Sequence, residues 1–148
     1  MADKNRNEYF MKMALLASER STCKTKVGAV AIKENRVIAT AYNGAPSEMA
    51  ECEDVGCKIV NGHCQRAIHA EQNIINLAAR FGFSLKESII YCTHEPCANC
   101  LRNLISAGIT KLYFLTEKFD KRSLPEYYER VKTYKLMGDK YLRFRRLK

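Results

Sequence analysis

The sequence predicts an α/β fold: a three-layer α/β/α sandwich in which a five-stranded mixed sheet is covered by helices on both faces. Three observations carry that expectation. Apolar residues alternate along the chain between helical spacing and the continuous runs of buried strands. The order is helix, two strands, then helix, strand, helix, strand, helix, strand, the pattern of a sheet layered between helices. Finally, 148 residues with 47% hydrophobic content can bury one core, so residues 1–148 are expected to form one domain.

Each element has its own signal. Residues 5 to 20, NRNEYFMKMALLASER, set Phe10, Met13, Ala14 and Ala17 at helical spacing. VGAVAIK and RVIATAYN follow, separated only by the turn residues Glu34 and Asn35, which predicts a hairpin. Residues 43 to 65 read as loop, with Gly44, Pro46, Gly56 and Gly62 scattered through them. Loops of that length are uncommon in compact domains unless they serve a function. From Ala67 a helical pattern runs through Ile68, Ile74, Ile75, Leu77 and Ala78 to Gly82, a suitable C-terminal stop. SIIYCTH predicts a buried strand. Pro96 suits the first turn of a helix reaching about Ala107, with Gly108 ending it. KLYFLTE predicts another strand, Leu124 to Met137 a helix, and DKYLRFRR a last, edge-like strand.

Composition narrows the function. The net charge of +9 favours an anionic partner, either a small phosphorylated molecule or a nucleic acid. Residues 129 to 148 hold eight basic residues against Glu129 and Asp139, two thirds of that excess. A terminal basic run reads as a solvated face, so a nucleic-acid partner is not expected. No apolar run approaches bilayer length, which argues against a membrane partner. The opening MADKNRNEYF lacks the apolar region of a signal peptide, and the expected setting is the cytoplasm. In a reducing compartment, thiols serve as metal ligands, catalytic groups or packing rather than as disulfides. Six of the seven cysteines, at 23, 52, 57, 64, 97 and 100, lie in polar or turn-rich surroundings, whereas Cys92 in IIYCT reads as core.

The chemistry gathers at two short stretches. In AIHAEQN, His69 and Glu71 stand two positions apart; in EPCANC, Cys97 and Cys100 stand three apart. On a helix that second spacing turns both sulfurs to one side, and the first turn favours thiolates. One imidazole and two thiolates leave a tetrahedral zinc with an open position, the arrangement of a catalytic site. Glu71 beside that position can take a proton from water and return it to a leaving group. The combination H-x-E with P-C-x-x-C is the signature of zinc-dependent deaminases.

The chain resembles the deoxycytidylate (dCMP) deaminases, within the cytidine deaminase-like superfamily. The likeness runs through STCKTKVGAV, AYNGAP, GHCQRAIHAEQN, EPCANC and ISAGITKLYFL. The YNG turn, followed by a long loop before the histidine, narrows it, because deaminases of transfer RNA adenosine have a shorter segment there. The resemblance implies that His69, Cys97 and Cys100 hold a catalytic zinc and that Glu71 carries protons to N3 of cytosine and to the departing amine. The implied reaction converts dCMP to dUMP and ammonia, supplying dUMP for thymidylate synthesis. The alternatives are a deaminase of another free cytosine nucleoside or nucleotide, or one acting on nucleic acid.

By the same resemblance Asn43 contacts the deoxyribose, Ala70 belongs to the substrate site, and Phe119, where many relatives carry tyrosine, packs near the base. Arg20, Ser21, Lys24, Thr25 and Lys26, which lead into the first strand, are candidates for the substrate phosphate. Some members of the resembled family bind a second, structural zinc. Carried over, Cys23, Cys52, Cys57 and Cys64 form that site, with His63 as an alternative to Cys57 or Cys64. Assembly as a homo-hexamer and regulation by dCTP and dTTP are further implications of the resemblance.

Overall fold

A computed structural model describes residues 6–118, 120–137 and 140–144. Helix α1 (Arg6–Ser18) leads into strands β1 (Gly28–Lys33) and β2 (Arg36–Tyr42). A short helix α2 (Cys52–Val55) and a two-residue hairpin, β3 (Ile59–Val60) and β4 (His63–Cys64), precede helix α3 (Ala70–Phe81). Strand β5 (Ile89–His94), helix α4 (Ala98–Ser106), strand β6 (Lys111–Thr116), helix α5 (Tyr127–Arg130) and strands β7 (Lys132–Met137) and β8 (Lys140–Phe144) complete the order.

The main sheet runs β2-β1-β5-β6-β7-β8. It is mixed: β1 pairs antiparallel with β2 and β5, while β5, β6 and β7 are parallel to one another. Glu34 and Asn35 both adopt positive φ, 51° and 62°, as a tight two-residue hairpin turn between twisted strands requires. The expected hairpin is therefore present. Alternation along the central strands then sorts the core into two layers. Ala29, Ala31, Ile90 and Cys92 face α3 and α4, packing with Ala70, Ile74, Leu101 and Leu104. Val30, Ile32 and Tyr91 face the other way, onto Phe10, Met11 and Ala14 of α1. Helices thus cover both faces, as expected of the α/β/α class.

Close approach on the α1 side is possible because β1 begins with glycine. A Cβ at Gly28 would stand 1.9 Å from the Ala14 carbonyl oxygen and 2.6 Å from the Ser18 nitrogen, so no larger residue fits beneath the helix.

Three boundaries differ from expectation. The segment expected to be helical from Leu124 to Met137 is helical only over Tyr127–Arg130. At Val131 the backbone turns extended, with φ −112° and ψ 120°. From there Val131 and Thr133 are buried while Lys132 is exposed, a two-residue period that suits a strand. Strand β7 adds to the β6 edge and receives β8, which extends the expected mixed sheet to six strands on that side. The helix expected from Ala67 begins at Ala70, because His69 is extended (φ −60°, ψ 145°) and serves as its N-cap. The long loop also carries the small α2 and β3–β4 units.

Candidate active site and metal centres

The parallel strands β5 and β6 end beside each other, and the start of β1 reaches the same edge because it runs antiparallel to β5. The carboxyl edge of parallel strands is where open α/β sheets place their ligands. Here it opens into a cavity of about 500 Å³ that is lined by His69, Ala70, Glu71, His94, Glu95 and Cys97 among others.

Backbone pairing fixes each chemical group at this edge. Ile68 exchanges two hydrogen bonds with Gly44, at 3.2 and 2.8 Å, which holds His69 at the mouth of α3. Cys97 is the N-cap of α4 and Cys100 lies in its first turn. The amide of Ala98 donates to Asp120 Oδ2 at 2.8 Å, so a carboxylate from beyond β6 caps this helix. Arg122 donates in turn to both Asp120 oxygens, at 3.0 and 2.9 Å. These contacts hold the Asp120 carboxyl well below its ordinary range, Arg122 contributing most.

His69 Nδ1 lies 3.6 Å from Cys97 Sγ and 3.4 Å from Cys100 Sγ. A tetrahedral zinc with Zn–S near 2.3 Å and Zn–N near 2.05 Å requires an N···S separation of about 3.6 Å. The three donors fit that ion. The two sulfurs share one proton unequally: the Cys100 thiol and His69 bring Cys97 down to about 3 against the effect of burial, and Cys97 pushes Cys100 up. Glu71 is 4% exposed and accepts a hydrogen bond from the Cys92 thiol at 3.0 Å through Oε1.

A second cluster assembles at the long loop. Cys23, Cys52, Cys57 and Cys64 bring all four sulfurs within 4.8 Å of one another. Cys23 and Cys57 are 3.7 Å apart, Cys52 and Cys64 3.6 Å apart, too far for disulfide bonds. Four thiolates around zinc stand about 3.8 Å apart, so this donor set also fits the ion. Burial alone would raise the Cys64 thiol, but backbone amides of Ala67, Arg66 and Lys58, with the Cys52 thiol, bring it to about 6. Burial drives Cys52 upward. His63 is not part of the group and instead lines the cavity.

The remaining candidates divide. Ala70, Asn43, Lys24 and Thr25 line the cavity. The Asn43 amide spans the segment before β1, donating to the Thr25 carbonyl at 2.6 Å and accepting from the Val27 amide at 2.8 Å. One amide proton and one lone pair remain for a ligand. Ser21 donates to the Asn43 carbonyl oxygen at 2.7 Å, away from the lining. Arg20 stacks over the Tyr42 ring, and Lys26 is not among the lining residues. Phe119 lies outside the described residues. His94, Glu95 and Lys118 also line the cavity and were not among the sequence candidates. His94 and Glu95 flank the Pro-Cys motif, and Lys118 follows β6, so the juxtaposition of β5 with β6 is what brings them in.

Known proteins share this chain's family and fold. Residues 4–116 match the family model for the cytidine and deoxycytidylate deaminase zinc-binding region. ComE operon protein 2 of Bacillus subtilis is 41% identical over 109 residues, 73% of this chain and 58% of that protein. The deoxycytidylate deaminase of Saccharomyces cerevisiae is 36% identical over 125 residues, 79% of this chain and 40% of that one. The chain therefore spans about half the length of these curated relatives. The crystal structure of dCMP deaminase from the cyanophage S-TIM5 in apo form superposes with a TM-score of 0.76 at 31% identity, covering 92% of this chain and all of that one. The same phage enzyme in complex with dCMP and dUMP gives 0.75 at 29% identity, covering 92% of this chain and 99% of that one.

Proposed function

The chain belongs to the cytidine and deoxycytidylate deaminase family, and from that premise we propose that it hydrolyses dCMP to dUMP and ammonia with zinc as its metal. The observation that carries this reading is the meeting of His69, Cys97 and Cys100 at zinc-binding distances on the wall that also holds buried Glu71. His69 Nδ1 and the two sulfurs would hold the metal. When bound, zinc makes water a nucleophile at neutral pH and offers Lewis acidity to the reaction.

The protein's own groups supply the rest. Glu71 takes a proton from water and delivers it to N3 of the cytosine ring as C4 is attacked; it then takes the proton of the new C4 hydroxyl and passes it to the amine, which leaves as ammonia while C4 becomes a carbonyl. Its position at the head of α3, capped by His69, keeps the carboxylate within the cavity. Asn43 offers its remaining proton and lone pair to the sugar. Lys24 and Thr25, on the same wall, meet the phosphate, and Ala70 borders the base. The phage enzyme's complex with dCMP and dUMP supports this substrate class.

A second zinc in the Cys23, Cys52, Cys57 and Cys64 cluster fixes the long loop. Four thiolates would fill a tetrahedral shell and leave no vacant coordination position, the arrangement of a structural site. Regulation by dCTP and dTTP and assembly as a homo-hexamer are proposed from the family resemblance; a separate cavity of about 410 Å³ between the Tyr42–Ser47 turn and α3, lined by Arg80, has room and charge for an anionic effector. No helix of the described residues is long and apolar enough to cross a membrane. All seven cysteines are unpaired, which suits a reducing cytoplasm where dUMP would feed thymidylate synthesis.

The test is ammonia release from dCMP, CMP, deoxycytidine and short cytosine-containing oligonucleotides. Turnover confined to the deoxynucleoside monophosphate is expected. Equal activity on deoxycytidine would move the reading to a nucleoside deaminase, and activity on oligonucleotides alone would overturn it.

A further inference from the structure

Cys92 has no ligand role in either metal centre, yet it touches the acid at the heart of the site. It lies on β5, whose alternation turns residue 92 towards the α3 and α4 layer rather than towards α1. There its Sγ meets Oε1 of Glu71 at 3.0 Å, with Cys92 wholly buried and Glu71 4% exposed. A buried carboxylate with one oxygen engaged by a fixed donor loses a rotational choice, while Glu71 still lines the cavity and its carboxylate also meets the Cys100 thiol. A neutral donor also orients the carboxylate without adding a positive charge beside it. Burial and the neighbouring carboxylate push the Cys92 thiol well up, so it keeps the proton it donates.

We propose that Cys92 is a positioning residue for proton transfer: its thiol pins Oε1 of Glu71 and thereby presents Oε2 to the reacting atoms. The proposal rests on the deaminase reading, in which Glu71 moves the protons. The strand supplies the precision, because Ala29 pairs with Cys92 in the middle of the sheet and the thiol sits on a rigid element. The effect belongs on kcat rather than KM, since Glu71 acts on the reacting atoms and not on the sugar or phosphate.

The experiment compares Cys92→Val, which fills the site with one more methyl group and removes the donor, with Cys92→Ala and Cys92→Ser in zinc-loaded protein. Val and Ala are expected to lower kcat about fivefold to tenfold, the effect of one modest hydrogen bond, with KM and zinc content unchanged. Ser, which donates again, should recover most of the loss. Should Val fail to fold, the pair of small residues, Ala against Ser, carries the comparison.

A second readout does not depend on turnover. With six cysteines engaged as metal ligands, Cys92 carries the remaining S–H group, and its infrared stretch should disappear in Cys92→Val. The band should lie at lower frequency in the wild type than in Glu71→Ala, where the acceptor is gone. An unchanged band in Glu71→Ala, full activity in Val and Ala, or a Ser variant as slow as Val would each overturn the proposal. A wild-type protein inert towards dCMP would sink the functional reading and this role with it. An active wild type indifferent to Cys92 would sink this role alone.

Discussion

At the scale of single residues, the His-x-Glu and Pro-Cys-x-x-Cys stretches assign different work to neighbouring side chains, and substitution should separate them. Glu71→Ala is expected to keep its zinc, because the acid is not among the three donors that lie within reach of one ion. Turnover should fall by about 10²–10⁴-fold, the usual scale of general acid–base catalysis. Metal analysis beside ammonia release checks both halves, and loss of the metal would show Glu71 to be a ligand. The proposed ligand trio is legible in the sequence because an imidazole and two thiols, each at a helix start, suit a shared metal ion. The phosphate candidates are not equally legible. Lys24 and Thr25 reach the cavity while Arg20 turns onto Tyr42 and Lys26 stays outside the lining. A run of basic residues in a loop states its charge but not the direction of each side chain. Cys92 reads as buried from its apolar neighbours, but its contact with Glu71 depends on which face of β5 meets α3, and only the sheet supplies that.

At the scale of elements, two packing contacts hold the site together and each makes a prediction. Helix α1 rests on β1 so closely at Gly28 that a methyl group would penetrate the Ala14 carbonyl. Gly28→Ala should destabilise the fold by roughly 1–3 kcal/mol or more, read as a drop in Tm, since backbone rather than a flexible side chain must move. The second contact is the cap of α4 by Asp120. Its carboxyl is depressed in the folded protein, so the stabilisation is present above the unfolded value of about 3.9 and is lost as pH falls through the range below it. Comparing Tm of the wild type and Asp120→Asn at each pH cancels the protonation of the metal ligands. The gap should stay constant from neutral pH down to about 5 and narrow progressively below about 4; a gap that did not narrow in acid would show that charge is not what Asp120 contributes. Neither contact is a sequence signal, because Asp120 lies 22 positions from the amide it caps. The elements themselves are mostly legible: the hairpin at Glu34–Asn35, the α4 start after Pro96 and the strands flanking it all carry strong local chemistry. The exception, Lys132–Met137, mixes lysines with Thr133, Tyr134 and Leu136, and apolar spacing over so few residues fits either period until a neighbouring strand is available to pair.

At the scale of the whole molecule, the two thiol clusters are coupled through the wall they share. Cys23 and Cys64 belong to the four-sulfur group and also border the cavity, together with Ile59, Gly62 and His63 of the small hairpin. That hairpin pairs only two residues on each strand, Ile59 with Cys64 and Val60 with His63, too few to hold a fixed shape alone. Ile59 and Val60 are exposed, so burial contributes little to holding it. A metal clip that joins position 23 to positions 52, 57 and 64 closes a long loop, where cross-links have most entropy to remove. Purified protein is therefore expected to carry two zinc ions per chain. Cys52→Ala should reduce that to one while leaving His69, Cys97 and Cys100 loaded. Because such a clip would shape the wall around Lys24 and Thr25 rather than the proton path at Glu71, the variant should raise KM for dCMP more than it lowers kcat, and its Tm should fall. A variant with one zinc, an unchanged KM and an unchanged Tm would show that the four thiols do not build this wall.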